Sequence, residues 1–304
     1  MPRLDLIDAH HHIWRQADQP WLNGPMAPRI FGPYDAIRRD YPIAEYLADI
    51  KDNGVVASVY IQTNWDPARN IEEVAWVQAI ADAQDSQNDF QNGFPHAITG
   101  FADLARPDAG ATLDAMRPFA RLKGIRQQVH WHENPNYRFA PRPDVIADEQ
   151  WRRGLAQLAP RGLLFELQVF ASQMTLGAEL ARAFPGTTFV LQHAGMLEDL
   201  SDAGRAAWRS GMRQLAACPN VYVKLSALGT FVHRATLADI QPIVSDTVTL
   251  FGAERCLWGS NFPIEKIWTD YATVAGNIRQ AVAHLPLHEQ RQILSETAVR
   301  VYGL

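Results

Sequence analysis

A closed (β/α)8 barrel, the TIM-barrel fold, is the class the sequence predicts, and three observations predict it. Short apolar runs recur roughly every 25 to 40 residues, amphipathic stretches lie between most of them, and no linker-like segment divides the 304 residues. Strands buried on both faces read as continuous apolar runs, and their alternation with helices calls for a parallel sheet. Eight such strands in a chain of this length close into one barrel, so a single domain is expected over residues 1–304. An open doubly wound sheet is the alternative, but no Gly-rich phosphate loop follows the first strand.

Taken in order, the strands are expected at Leu4–His10, Val55–Thr63, His96–Leu104, Leu122–Val129, Leu163–Val169, Thr188–His193, Val221–Ser226 and Cys256–Ser260. Among the helices, Ile43–Lys51 stops at Gly54 and Ile71–Asp85 carries an apolar stripe. Ser172–Phe184 opens on a good N-cap and stops before Pro185-Gly186. Trp151–Ala159, Arg205–Ala217, Leu237–Phe251, Thr269–Ala283 and Leu287–Tyr302 complete the set.

Composition narrows the partners. Hydrophobic residues at 47% and charged residues at 20% exclude a disordered chain, and the apolar runs are too short to span a membrane. A net charge of −5 argues against a nucleic-acid footprint, leaving a small molecule as the expected partner. The two cysteines, Cys218 and Cys256, form no CxxC motif, so a reducing, cytoplasmic location is expected. A homodimer suits a barrel of this type, although no segment advertises an interface.

The chemistry concentrates where strands end, which in a barrel is the face that carries the active site. After the first strand comes Asp8-Ala9-His10-His11-His12-Ile13-Trp14; residues two apart on a strand share a face, so His10 and His12 converge while His11 turns away. His193 ends the sixth strand, and the three imidazoles could surround a divalent cation that lowers the pKa of bound water to about 7. Further polar strand ends are Gln62, Asp103, Arg126, Glu166, Gln168, Lys224, Ser226 and Asn261. Arg126 and Lys224 are cations suited to a substrate carboxylate or an oxyanion. Glu166 and Gln168 share one face of strand five, and Glu166 is a candidate general base or, alternatively, an outward partner of Arg152. Asp103 has the alternative of capping the next helix. Trp131 and His132, in the loop after strand four, are candidate pocket walls, against the plainer alternative of a surface loop with an incidental Trp; Trp14, Trp65 and Trp268 also follow strand ends and could line the pocket or fill loop interfaces.

The ordered pieces resemble the amidohydrolase superfamily, in the amidohydrolase-2 branch that holds the sugar-lactone and 2-pyrone-4,6-dicarboxylate lactonases. They are Ile7 to Trp14, Gly124-Ile125-Arg126-Gln127, Gln192-His193-Ala194-Gly195, Val223 to Leu228, Trp258-Gly259-Ser260-Asn261-Phe262-Pro263 and Thr297 to Tyr302, spanning nearly the whole chain. The resemblance implies a (β/α)8 hydrolase of cyclic esters or related bonds, with His10, His12 and His193 in the metal-ligand or carbonyl-polarising positions. It implies Arg126 and Lys224 as candidates for gripping a substrate carboxylate or hydroxyls; Gln168, from its strand-end position, is a further candidate for binding substrate. Zinc or manganese is the implied ion, weakly held or dispensable, since some lactonases of this branch use cationic side chains instead.

One departure stands out. Where the family carries an aspartate that takes the proton from the attacking water, this chain has Asn261. An amide can orient a water but cannot act as a base near neutral pH, which leaves Glu166 or His193 as expected replacements. The expected function is a lactonase acting on a small sugar-acid or dicarboxylate lactone. The alternatives are a metal-dependent decarboxylase of an aromatic or enol acid and a barrel that binds a small acid without turning it over.

Overall fold

Eight parallel strands follow one another in chain order around one sheet in the computed structural model, which describes residues 4–85 and 93–304. They are β1 (Leu6–His11), β2 (Val55–Ile61), β3 (Ala97–Gly100), β4 (Leu122–Ile125), β5 (Leu164–Leu167), β6 (Phe189–Leu191), β7 (Val221–Leu225) and β8 (Cys256–Trp258). Each is followed by a helix: α1 (Ile43–Ile50), α2 (Asn70–Asp85), α3 (Ala109–Met116), α4 (Glu149–Leu155), α5 (Met174–Ala183), α6 (Asp202–Ala216), α7 (Leu237–Phe251) and α8 (Tyr271–Val282). None of the described helices is long and apolar enough to cross a membrane.

Several strands are shorter than their apolar runs, because buried residues continue into the mouth loops after the ladder ends. No amphipathic pattern announces α3: it has two turns and contains Gly110, so burial of Leu113 and Met116 holds it rather than propensity. The stretch Leu287–Tyr302 is helical but not uniform, with a π-helical segment at Gln292–Glu296 between two α-helical pieces.

The ring closes just beyond β8. His11 bridges Phe262, the Asn261 N–H donates to the His10 carbonyl at 2.7 Å, and the His12 N–H donates to the Phe262 carbonyl at 2.8 Å. Gly259 permits that approach, since a Cβ there would lie 2.5 Å from the His10 Cβ and 2.7 Å from its nitrogen.

β1 also carries a bulge: Asp8 pairs with Ser58 but His11 with Tyr60, three steps against two. Strict alternation would put Asp8 on the face of His10. The bulge instead sends the Asp8 carboxylate to Ser260 and to the hydroxyls of Tyr46 on α1 and Tyr271 on α8.

Inside the barrel, alternate residues form layers. The floor is apolar, with Ile7, Ala9, Val59, Leu164, Val190 and Leu257 packed against Ala298 and Tyr302 of the C-terminal helix. One step higher on β5 and β7, Glu166 and Lys224 meet as a fully buried ion pair at 2.8 and 2.9 Å. The carboxylate also accepts from Gln192 Nε2 at 3.0 Å, from Thr99 Oγ1 at 3.4 Å and from the Tyr302 hydroxyl.

Removing one partner of such a pair leaves an uncompensated buried charge. Lys224→Met is therefore expected to lower unfolding stability by about 3–5 kcal/mol in urea titrations, and adding Glu166→Gln should recover most of that loss. Equal stability of wild type and Lys224→Met would contradict this account of the pair.

Candidate active site

The pocket opens at the C-terminal ends of the strands and encloses about 890 Å³ including its open mouth. Residues immediately after strand ends turn through the left-handed region to enter it: Asn64 (φ 63°), His193 (56°), Ala227 (53°) and Asn261 (60°). Such conformations are costly for non-glycine residues and persist only where the surroundings enforce them. Two long loops build the outer wall, one supplying Trp14, Trp21 and Arg29, the other Tyr137, Arg138 and Phe139.

The three imidazoles do come together. The His10 ring lies 5.1 Å from that of His12 and 4.7 Å from that of His193, centre to centre. His12 donates its Nδ1–H to the Ile61 carbonyl at 2.8 Å, and His193 Nδ1 shares a hydrogen bond with Ser226 Oγ at 2.8 Å. Burial first, then the nearby Arg126 guanidinium, holds His12 down to about 3 and His193 well below the ordinary range. For His10, burial leads and the Lys224 ammonium comes second.

Their arrangement does not fit a firmly held divalent ion. Lys224 Nζ lies 3.5 Å from His10 Nδ1, and since an ammonium can only donate, it favours the tautomer with the proton on the buried, unpartnered Nε2. In that tautomer Nε2 offers no lone pair to a metal. Among the described residues, no three His, Cys, Asp or Glu side chains are gathered as a ligand set.

Of the other residues singled out from sequence, His12, Trp14, Arg126, Gln168, His193 and Asn261 line the pocket. His10, Glu166, Lys224, Trp131 and His132 do not. Glu166 and Lys224 face inward, but below the pocket and engaged with each other, because a buried charge is stable only when paired. Glu166 points neither to solvent nor to Arg152, which donates to the Ile146 carbonyl. His132 is turned away to Glu198 at 3.6 Å, and Trp131 stacks under the Arg138 guanidinium at 4.8 Å. Asp103 accepts from the Ala105 N–H and from Gln127 rather than facing the cavity.

Arg126 is buried, with its Nη2 donating to the Gln62 carbonyl and its Nε left without a partner. Burial brings this guanidinium down to about 10, still charged near neutrality. Arg29 and Arg138 also line the pocket, and no Asp or Glu is among its described lining residues.

Sequence reasoning passed over Arg29, Thr230 and Glu265. Glu265 follows Asn261 by four residues, the spacing of neighbours on one helical face, and that was the available signal. Asn261 Nδ2 donates to Glu265 Oε1 at 3.4 Å, and Asn261 also lies in hydrogen-bonding contact with His12.

Comparison with known proteins bears on the family and the fold. The protein y4mH of Sinorhizobium fredii is 34% identical over 99% of both chains. An L-fucono-1,5-lactonase of Burkholderia multivorans is 27% identical over 98% of this chain and 96% of its own. A crystal structure of a Burkholderia multivorans amidohydrolase with bound zinc superposes with a TM-score of 0.80 at 25% identity, covering 99% of each chain. The family profile described as amidohydrolase matches residues 7–304. With the profile spanning the barrel from β1 to the last helix, the chain belongs to the amidohydrolase family.

Proposed function

We propose that this amidohydrolase opens a small carboxylate-bearing lactone, of a sugar acid or a dicarboxylate, with water. The observation that carries the reading is the charge of the pocket: Arg29, Arg126 and Arg138 reach it, and no carboxylate is among its described lining. Such a site favours an anionic ligand. The likeness to an L-fucono-1,5-lactonase supports a cyclic ester as the bond attacked.

In this reading Arg126 supplies the fixed cation. Its unpartnered Nε is a buried donor that a substrate carboxylate would satisfy, while Gln62 holds the other end of the guanidinium in place. Asn261 orients the attacking water from the β8 side of the pocket. Aromatic groups at the rim, Trp14, Trp21 and Phe231 among them, enclose the ring of the substrate. The relative with bound zinc raises the question of a metal here, but the donor arrangement around His10 supports the protein's own cations as the electrophile. The same arrangement disfavours a decarboxylase, for which a firmly bound ion is expected.

Lactone opening yields a hydroxy acid whose carboxyl is fully ionised at neutral pH, so proton release in an indicator-dye assay reads turnover directly. Sugar 1,4- and 1,5-lactones and unsaturated dicarboxylate lactones form the first panel, and turnover of at least one is expected. Failure on all of them would remove the lactonase reading.

Two further outcomes are expected with the substrate so found. Arg126→Ala should raise KM by about tenfold or more while kcat changes less, as loss of a contact made equally in ground and transition states does. A fall in kcat alone would place Arg126 at the oxyanion instead. Chelation with EDTA, checked by elemental analysis of the protein, should leave kcat within about twofold; a collapse restored by zinc would show that the imidazoles rearrange to hold an ion.

A further inference from the structure

We propose that Thr230 and Glu265 form the proton path for the attacking water, Thr230 meeting the water in the pocket and Glu265 receiving the proton behind it. This rests on the lactonase reading above, because it supplies the step that Asn261 cannot perform.

The geometry is that of a buried acid screened from the pocket by two polar side chains. Thr230, on the loop after β7, and Asn261, after β8, both line the pocket. Glu265, at the start of the 3-10 turn Glu265–Ile267, is 2% exposed and lies directly behind them. Its Oε1 accepts from Thr230 Oγ1 at 3.3 Å and from Asn261 Nδ2 at 3.4 Å, and its Oε2 accepts from Trp268 Nε1 at 3.0 Å. An amide has no exchangeable role in such a chain at neutral pH, whereas a hydroxyl donates and accepts at once. Thr230 is thus the member that can pass a proton, and Asn261 the one that positions the water.

The surroundings suit a carboxylate that exchanges a proton. Its partners are the neutral Asn261, Thr230 and Trp268, and burial pushes the carboxyl up to about 7 against the smaller downward pull of those hydrogen bonds. Nearby, the His233 ring lies tilted against that of Trp268, 5.7 Å centre to centre, and Lys266, next in sequence, is held by Glu45 and Asp49. Glu73 is a second buried carboxylate reached from a pocket threonine, Thr63. It accepts the Thr63 N–H and the Tyr60 hydroxyl, each at 2.7 Å, which makes it an anchor of the loop after β2.

The step balances within the protein. A water O–H bond breaks as its proton goes to Thr230 Oγ1 and the Thr230 proton goes to Glu265 Oε1. The hydroxide forms a bond to the lactone carbonyl carbon, the ring C–O bond breaks, and the leaving alkoxide recovers the proton by the reverse route. Glu265 ends the cycle ionised, as it began.

The test is kcat against pH, on a lactone that the wild type turns over, for wild type, Glu265→Gln, Glu265→Asp, Thr230→Val and Thr230→Ser. In the wild type kcat should rise with pH through about 7, since the acceptor must be ionised. Glu265→Gln should lose that limb and fall roughly 100-fold or more, with KM nearly unchanged, and Glu265→Asp should recover the limb. Thr230→Val should behave like Glu265→Gln, while Thr230→Ser, which keeps the hydroxyl, should retain both rate and limb. A Glu265→Gln enzyme that keeps its limb and its rate overturns the relay while leaving the lactonase reading intact. If that variant fails to fold, full activity and an unshifted profile in Thr230→Val overturn it equally. A wild type inactive on every lactone sinks the lactonase reading, and the relay with it.

Discussion

The ion pair between Glu166 and Lys224 is the constraint around which the barrel interior is arranged. Two charges removed from water are tolerable only if their donors and acceptors are met, and the barrel meets them from β3, from Gln192 just after β6 and from the C-terminal helix as well as from β5 and β7. The pair divides the interior into an apolar floor below and a polar pocket above. It also reaches the chemistry. By placing an ammonium 3.5 Å from His10 Nδ1, Lys224 favours the tautomer in which Nε2 carries the proton, which sets that ring against metal ligation.

A second knot joins the first strand to the last. Asp8 is completely buried and accepts five hydrogen bonds: from the His10 N–H, from the N–H and hydroxyl of Ser260, and from the hydroxyls of Tyr46 and Tyr271. Burial pushes its carboxyl up and those donors pull it back. The bulge in β1 makes this possible by rotating Asp8 outward while His10 and His12 stay inward. Gly259 then lets β8 come close enough for Asn261 to donate its N–H to the His10 carbonyl. The histidine motif and the Gly-Ser-Asn motif, some 250 residues apart, are therefore one structural unit.

On top of that rigid ring sit loops that decide what enters. Arg29 stacks on Trp21 at 5.5 Å, and Arg138 on Trp131 at 4.8 Å, so two of the three pocket arginines are oriented by aromatic faces rather than by carboxylates. A guanidinium held this way keeps its charge available to an incoming anion. Backbone carbonyls supply the other contacts: Arg138 donates to those of His132 and Glu133, each at 3.1 Å, and Arg126 is held from the barrel side by that of Gln62.

Periodicity and residue chemistry were enough to determine the barrel and the order of its strands, and to single out His12, His193, Arg126 and Asn261, which line its mouth, with His10 against them from below. These follow from local facts, because the alternation of a strand and the identity of its last residues are written in short segments. Short or Gly-containing α3 lay below that signal, and the apolar runs could not mark where each ladder stops. What only the tertiary structure decided is which polar groups face one another. Glu166 found Lys224 and not a water, His132 turned to Glu198, and Glu265, unremarkable in sequence, came to lie behind Asn261 and Thr230. The role of an ionisable side chain depends on its desolvation and on partners brought from distant parts of the chain, and neither is a property of the segment that carries it.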